Sequence, residues 1–251
     1  MAQSGVHAYI SILLKNNKFF KKKWIFPSFL LGSIIPDIDY FFSKLHTIIF
    51  IPKPLELLNK TFAHSIFTII FIYLLLLIFY EIKKNENYIH IANGMIFGML
   101  FHLFIDIFLW YDRVDVFWPL PLDSIHIWKN IHIPHIIKII ILTFEFIFFR
   151  IFAYFSIQVI LNHPGKNRFF IKQLSIWMKV ELYFTIIFIL SSYLVNYYFL
   201  YIIFFIGYIP SIIMMIYTIY MIWDSLDNYK KFIPDLIDDT INERSNLINI
   251  N

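Results

Sequence analysis

The 251-residue chain carries 21 Lys and Arg against 17 Asp and Glu, a formal net charge of +4, with only 15% of residues charged. At 59% hydrophobic residues, 21% aromatics and a mean hydropathy of +0.68 it leaves the soluble globular class, where about a quarter of residues are charged, and reads as an integral membrane protein. The lack of cysteine excludes disulfide frameworks, zinc–thiolate sites, iron–sulfur clusters and cysteine nucleophiles, and a modest charge held by lysines in short loops points to topology and a lipid surface, not to nucleic acid.

The bias toward Ile, Phe, Asn and Lys suggests an AT-rich genome, so the expected location is a bacterial-type inner membrane or an organelle membrane such as that of a plastid. Gly5 to Leu14 is apolar, too short to span, and contains His7; it lacks the basic leading region of a signal peptide. Lys15, Lys18, Lys21, Lys22 and Lys23 follow as the densest basic loop, the best candidate for a cytoplasmic side. Trp24 to Ile35 is a second short apolar stretch, expected at the membrane edge and stopped by Pro36-Asp-Ile-Asp39. Residues 40–63 read as a loop against the membrane.

Ser65 to Tyr80 is the first convincing span, Glu81 to Asn87 a short turn, and Ile89 to Trp110 a second span; so short a turn predicts an antiparallel pair. Tyr111 to His135 is a long loop with His126, His132 and His135, whose spacing fits no ligand pattern. Ile136 to Leu161 is a third span interrupted by Lys138, Glu145 and Arg150, the last two expected as a structural pair or as groups snorkelling at the span's edges. Asn162 to Lys179 reads as polar and basic, again on the cytoplasmic side. Leu182 to Trp223 is nearly uncharged, long enough for two spans with a break near Ser191–Asn196, or for one span plus a helix bent at Pro210. The end, from Asp224, is acidic and polar. The expected fold is all-α: a polytopic membrane bundle of four to five spans with short membrane-edge helices at the N-terminus. It divides into residues 1–135, which hold the polar motifs, 136–223 as further spans, and 224–251 as a tail.

Chemistry concentrates in the first of these parts. His102 and Asp106 are four apart in an otherwise apolar helix and so share one face. Ionisable groups in a span are costly unless they pair, ligate a metal or line a wet cavity. Asp37 and Asp39, two apart in a turn, can bend toward one centre, where a divalent cation would offset their repulsion. With His7 and His64 these form a sulfur-free set of His and Asp suited to Zn, with Mn or Fe as alternatives. Such a metal lowers the pKa of a bound water to roughly 7, which suits hydrolysis of an ester or phosphoester. Lys60, four residues before His64, would assist with an anionic substrate, and Asp39 or Asp106 would serve as general base. Plainer readings stand beside these: His102 and Asp106 as helix glue, Asp37 and Asp39 as a helix-stop turn, His64-Ser65 as a helix cap.

The series His7, Gly32-Ser-Ile-Ile-Pro-Asp37-Ile-Asp39, Lys60-Thr-Phe-Ala-His64-Ser65, His102-x-x-x-Asp106 and Phe117-Trp-Pro-Leu resembles the integral-membrane metal-dependent hydrolase family. These are bacterial-type inner-membrane proteins sometimes compared with zinc-dependent phospholipase C. The resemblance covers residues 5–121 and implies a hydrolase that uses a divalent metal at the membrane surface on a lipid or phosphoester. It departs at Asn59-Lys60, where the family often has His-Arg, and at Ala63, where it often has Thr; these departures imply one metal fewer, a changed substrate or weakened activity. A non-catalytic metal carrier, a scaffold for unspecified protein partners, or a decayed hydrolase are the alternatives.

Overall fold

Runs of Ile, Phe and Leu as long as these can satisfy their backbone in lipid only by forming helices, and the computed structural model is predominantly helical. It describes residues 3–39, 62–109, 113–131, 133–162, 168–195 and 197–228. The helices are α1 (Ser4–Leu13), α2 (Ile25–Gly32), α3 (Ile66–Lys83), α4 (Asn87–Leu109), α5 (His135–Asn162), α6 (Arg168–Leu194), α7 (Tyr197–Met221) and α8 (Trp223–Asn228). Short 3-10 turns cover Leu14–Asn16, Lys18–Lys21 and Ile35–Asp37, and among the described residues there is no strand, only an isolated Val114–Ile125 bridge. Helices α3, α4, α6 and α7 are long and apolar enough to cross a membrane. The outward faces carry side chains that only lipid would cover, among them Phe71, Ile78, Phe104, Leu190 and Ile213.

α3 ends on Lys84, which closes it in the left-handed conformation (φ 50°) with its N–H on Tyr80 O, and α4 then returns antiparallel beside it. α5 has the length of a span but carries Lys138, Glu145 and Arg150; it lies at the centre, in contact with α1, α6 and α7. Its Phe146, Phe149, Phe152 and Phe155 are fully buried at a three-residue step, a helical stripe that forms the core. Glu145 and Arg150 have separate partners. Glu145 Oε1 accepts from Gly5 N at 2.7 Å, capping the start of α1, and Arg150 Nη1 donates to Met178 O. Neither is a group snorkelling at an edge.

The polar, basic stretch over 162–179 is helical from Arg168 onward. Phe170, Leu174 and Trp177 recur at helical spacing and are buried, while Lys172 and Lys179 lie on the other faces. The uncharged tract does break where residues 191–196 suggested: α6 ends at Leu194 and α7 begins at Tyr197. Pro210 lies inside α7, and Ser211 donates to Gly207 O in the same turn. Glu181 is buried between α6 and α7, accepting from Trp177 Nε1 at 2.6 Å, with Ser211 Oγ against the same carboxylate.

One contact positions the site above all others. α2 runs parallel to α4 with a four-residue beat. A Cβ at Gly94 would lie 2.4 Å from Ile25 O, and one at Gly98 would lie 2.2 Å from Phe29 O. One turn further on, the carbonyl of Ser33 meets His102 instead, at 2.8 Å from Nδ1. Two glycines let the backbones approach, as small residues do between membrane helices. The third step of the same ladder then orients a histidine.

Candidate metal centre

Four segments converge at one end of the bundle: the middle of α1, the turn after α2, the residues just before α3 and the last two turns of α4. Asp37 and Asp39 leave the α2 turn, His64 stands two residues before α3, and His102 and Asp106 lie on one face of α4. Ser65 caps α3 by accepting from Phe67 N at 3.2 Å and also donates to Trp118 O. Ile66 N donates to Val116 O, so the loop after α4 folds over the start of α3 and fixes His64 beside α4.

All six sequence candidates in the described residues are brought together. His7, Asp37 and His102 are fully buried, and His64, Asp106 and Asp39 nearly so. Lys60 and Asn59 lie outside the described residues, as do Asp112 and His132. Among the described residues, His126 and His135 join no group of side chains suited to a metal.

The hydrogen bonds decide which atoms face inward. A carbonyl can only accept, so His102 Nδ1 carries the proton given to Ser33 O, and in the neutral ring Nε2 keeps its lone pair. His64 Nδ1 lies 3.3 Å from Asp39 Oδ2, which also accepts from Ala63 N at 2.6 Å; the His64 Nε2 lone pair is therefore free as well. The two Nε2 atoms face each other at 3.2 Å. Asp106 Oδ2 stands 3.3 Å from His64 Nε2 and 3.6 Å from His102 Nε2, and Asp37 Oδ1, buried with no hydrogen-bond partner, is 3.8 Å from His102 Nε2. In these tautomers four acceptor atoms, all within 4.8 Å of one another, thus point at one place. Buried acceptors in mutual contact are unfavourable unless a cation or protons intervene. Asp37, His64, His102 and Asp106 can hold a metal ion.

The remaining two candidates stand behind these four. Asp39 touches His64 through Nδ1, the pattern by which a carboxylate orients a ligating imidazole. His7 stacks on the His102 ring at 3.8 Å between centroids, with Nε2 3.1 Å from Asp106 Oδ1. Burial, then the neighbouring His102, hold His7 below its ordinary value in spite of Asp106, which favours a neutral ring donating Nε2–H to that carboxylate.

Sequence reasoning passed over Ser4, Ser33 and Tyr208. Ser33 is within the Gly32-Ser-Ile-Ile-Pro-Asp37 motif, but its contribution is a carbonyl, which any residue has. The pair Gly94-x-x-x-Gly98, by contrast, is an open signal of close helix packing.

A family model described as YdjM inner membrane protein matches residues 2–203. No curated protein matches the chain, and no solved structure does.

Proposed function

This chain belongs to the YdjM inner membrane protein family, and from that premise we propose that it is an integral-membrane, metal-dependent hydrolase acting on a lipid or phosphoester at the membrane surface. The observation that carries this reading is the meeting of two imidazole lone pairs and two carboxylate oxygens, one otherwise unpartnered, in a buried site. A nitrogen–oxygen set without sulfur favours Zn, with Mn or Fe as alternatives. Every separation within the set is 4.8 Å or less and the closest are 3.2–3.8 Å, and a hydrolytic ion would need a further coordination position open for water.

The reading assigns roles residue by residue. Asp37, His64, His102 and Asp106 would hold the ion. Asp39 fixes His64 and remains the best-placed general base, since its Oδ2 is engaged only by His64 and the Ala63 amide in the described contacts. His7 steadies Asp106, and Lys60 would meet an anionic substrate. When bound, the ion supplies Lewis acidity and acidifies water at neutral pH. The site's level supports action at the surface: it lies where α3 begins and α4 ends, the region in which a bilayer gives way to headgroups.

Metal content of the detergent-solubilised protein, purified without chelators, tests this. Wild type should carry stoichiometric Zn, Mn or Fe. Asp37→Asn and Asp106→Asn should each lose it, and Asp39→Asn should retain it with about 10- to 100-fold weaker affinity, as expected when a group orients a ligand. A phosphoesterase and lipase screen of the loaded protein follows. Wild type without metal would leave the histidines as helix glue and end the hydrolase reading.

A further inference from the structure

Beyond the ligand set, the structure joins the centre to a helix on the far side of the chain. Asp37 Oδ2, the oxygen that does not face the imidazoles, accepts a hydrogen bond from Ser4 Oγ at 2.7 Å, and Ser4 Oγ lies 2.8 Å from the hydroxyl of Tyr208 on α7. A serine hydroxyl has one hydrogen. Given to Asp37, it cannot also be given to Tyr208, so the tyrosine must donate. The chain of donation runs Tyr208 to Ser4 to Asp37 and ends on a carboxylate, where each bond polarises the next.

The tyrosine is held as a fixed donor. It is fully buried, its ring stacked on Phe204 at 5.1 Å and packed at 5.8 Å against Phe149 of α5. Tyr208 also lies past the matched residues 2–203, in a helix whose Phe and Ile content reads as lipid or bundle contact.

We infer that Tyr208 is a positioning residue of the metal centre, acting through Ser4 to hold Asp37 with Oδ2 engaged and Oδ1 turned to the ion. The inference rests on the metal reading above. Without the tyrosine hydroxyl, Asp37 keeps one donor but loses the polarised chain behind it, and its carboxylate is freer to rotate. Without Ser4 this link from the tyrosine to Asp37 is broken.

The test is titration with Zn²⁺, and with Co²⁺ followed by visible absorption, which reports both affinity and the geometry of the ligands. Apo wild type, Tyr208→Phe, Ser4→Ala, the double variant, and Tyr217→Phe as a hydroxyl removed from the same helix at an exposed position would be compared in detergent. Tyr208→Phe should bind about tenfold more weakly with an altered Co²⁺ spectrum and little change in thermal stability. Ser4→Ala should bind at least as weakly, and the double variant no more weakly than Ser4→Ala, because the tyrosine acts through the serine. Tyr217→Phe should match wild type. Wild-type affinity and spectrum in Tyr208→Phe would overturn the positioning role alone, as would full additivity in the double variant. No binding by wild type would overturn the metal reading and this inference with it.

Discussion

Lys15 shows what a single side chain costs when a membrane-edge loop is folded inward. Its ammonium is buried over the Phe26 ring at 4.2 Å and donates to Leu226 O, while Asp227 takes Trp24 N at 2.8 Å. Burial pushes Lys15 from 10.5 down to about 8, against the opposing pull of Asp227. Between about 8 and 10.5 the unfolded chain therefore binds more protons than the folded one, and stability rises with pH through that window; below about 8 the penalty is present in full. The midpoint of thermal unfolding should climb from pH 8 to pH 10 in wild type and climb less in Lys15→Met. Equal slopes would show that Lys15 is not the titrating group. At this scale the sequence was legible where residue type and spacing carry chemistry, as in Asp37-x-Asp39 or His102-x-x-x-Asp106. It was silent for Lys15, one of five lysines in nine residues, and for Ser4 and Tyr208, whose hydroxyls have no spacing signature.

Among the elements, the α2–α4 pair is the least tolerant of change. An alanine at Gly98 would set its Cβ 2.2 Å from Phe29 O, and a backbone carbonyl cannot turn aside as a side chain can. Gly98→Ala should destabilise by roughly 1–3 kcal/mol and weaken metal binding too, because a shifted α2 takes the Ser33 carbonyl away from His102. Gly207→Ala faces only the rings of Phe146 and Phe184, at 2.7 and 2.9 Å, which can move. Its loss should be smaller and should leave the metal affinity alone. Equal effects of the two substitutions on metal affinity would contradict the ladder. Hydropathy announced the spans, and the break before Tyr197 was readable in the same way. The helical start of α6 was hidden because Lys172 and Lys179 raise the average polarity while Phe170, Leu174 and Trp177 keep the buried period. The receiving helix of Gly94 and Gly98 was hidden for another reason: a small-residue motif states that something comes close, not what.

At the scale of the whole molecule, the membrane bundle follows from composition, and its centre follows from contacts that cross the chain. Among the contacts that join the first 121 residues to the later helices are two at the start of α1, Gly5 to Glu145 and Ser4 to Tyr208. Neither could be read locally. Glu145 looked like an intrusion into a span because its partner is an amide some 140 positions earlier. Local sequence thus presented the donor atoms of the centre, and the long-range folding of α5 and α7 supplied their support.

That cap on α1 has a consequence for the order in which the protein is made. α1 leaves the ribosome well before its supports: the carboxylate that receives its opening amides emerges only with α5, and the hydroxyl behind Asp37 only with α7. α1 must therefore wait at the membrane surface until α5 and α7 have been inserted, and the centre closes after both. A nascent chain arrested after α4 should bind no Zn²⁺ and leave α1 open to protease, whereas supplying α5 to α7 as a second polypeptide should restore both protection and binding. A protected α1 in the arrested chain would mean that it finds its place without waiting.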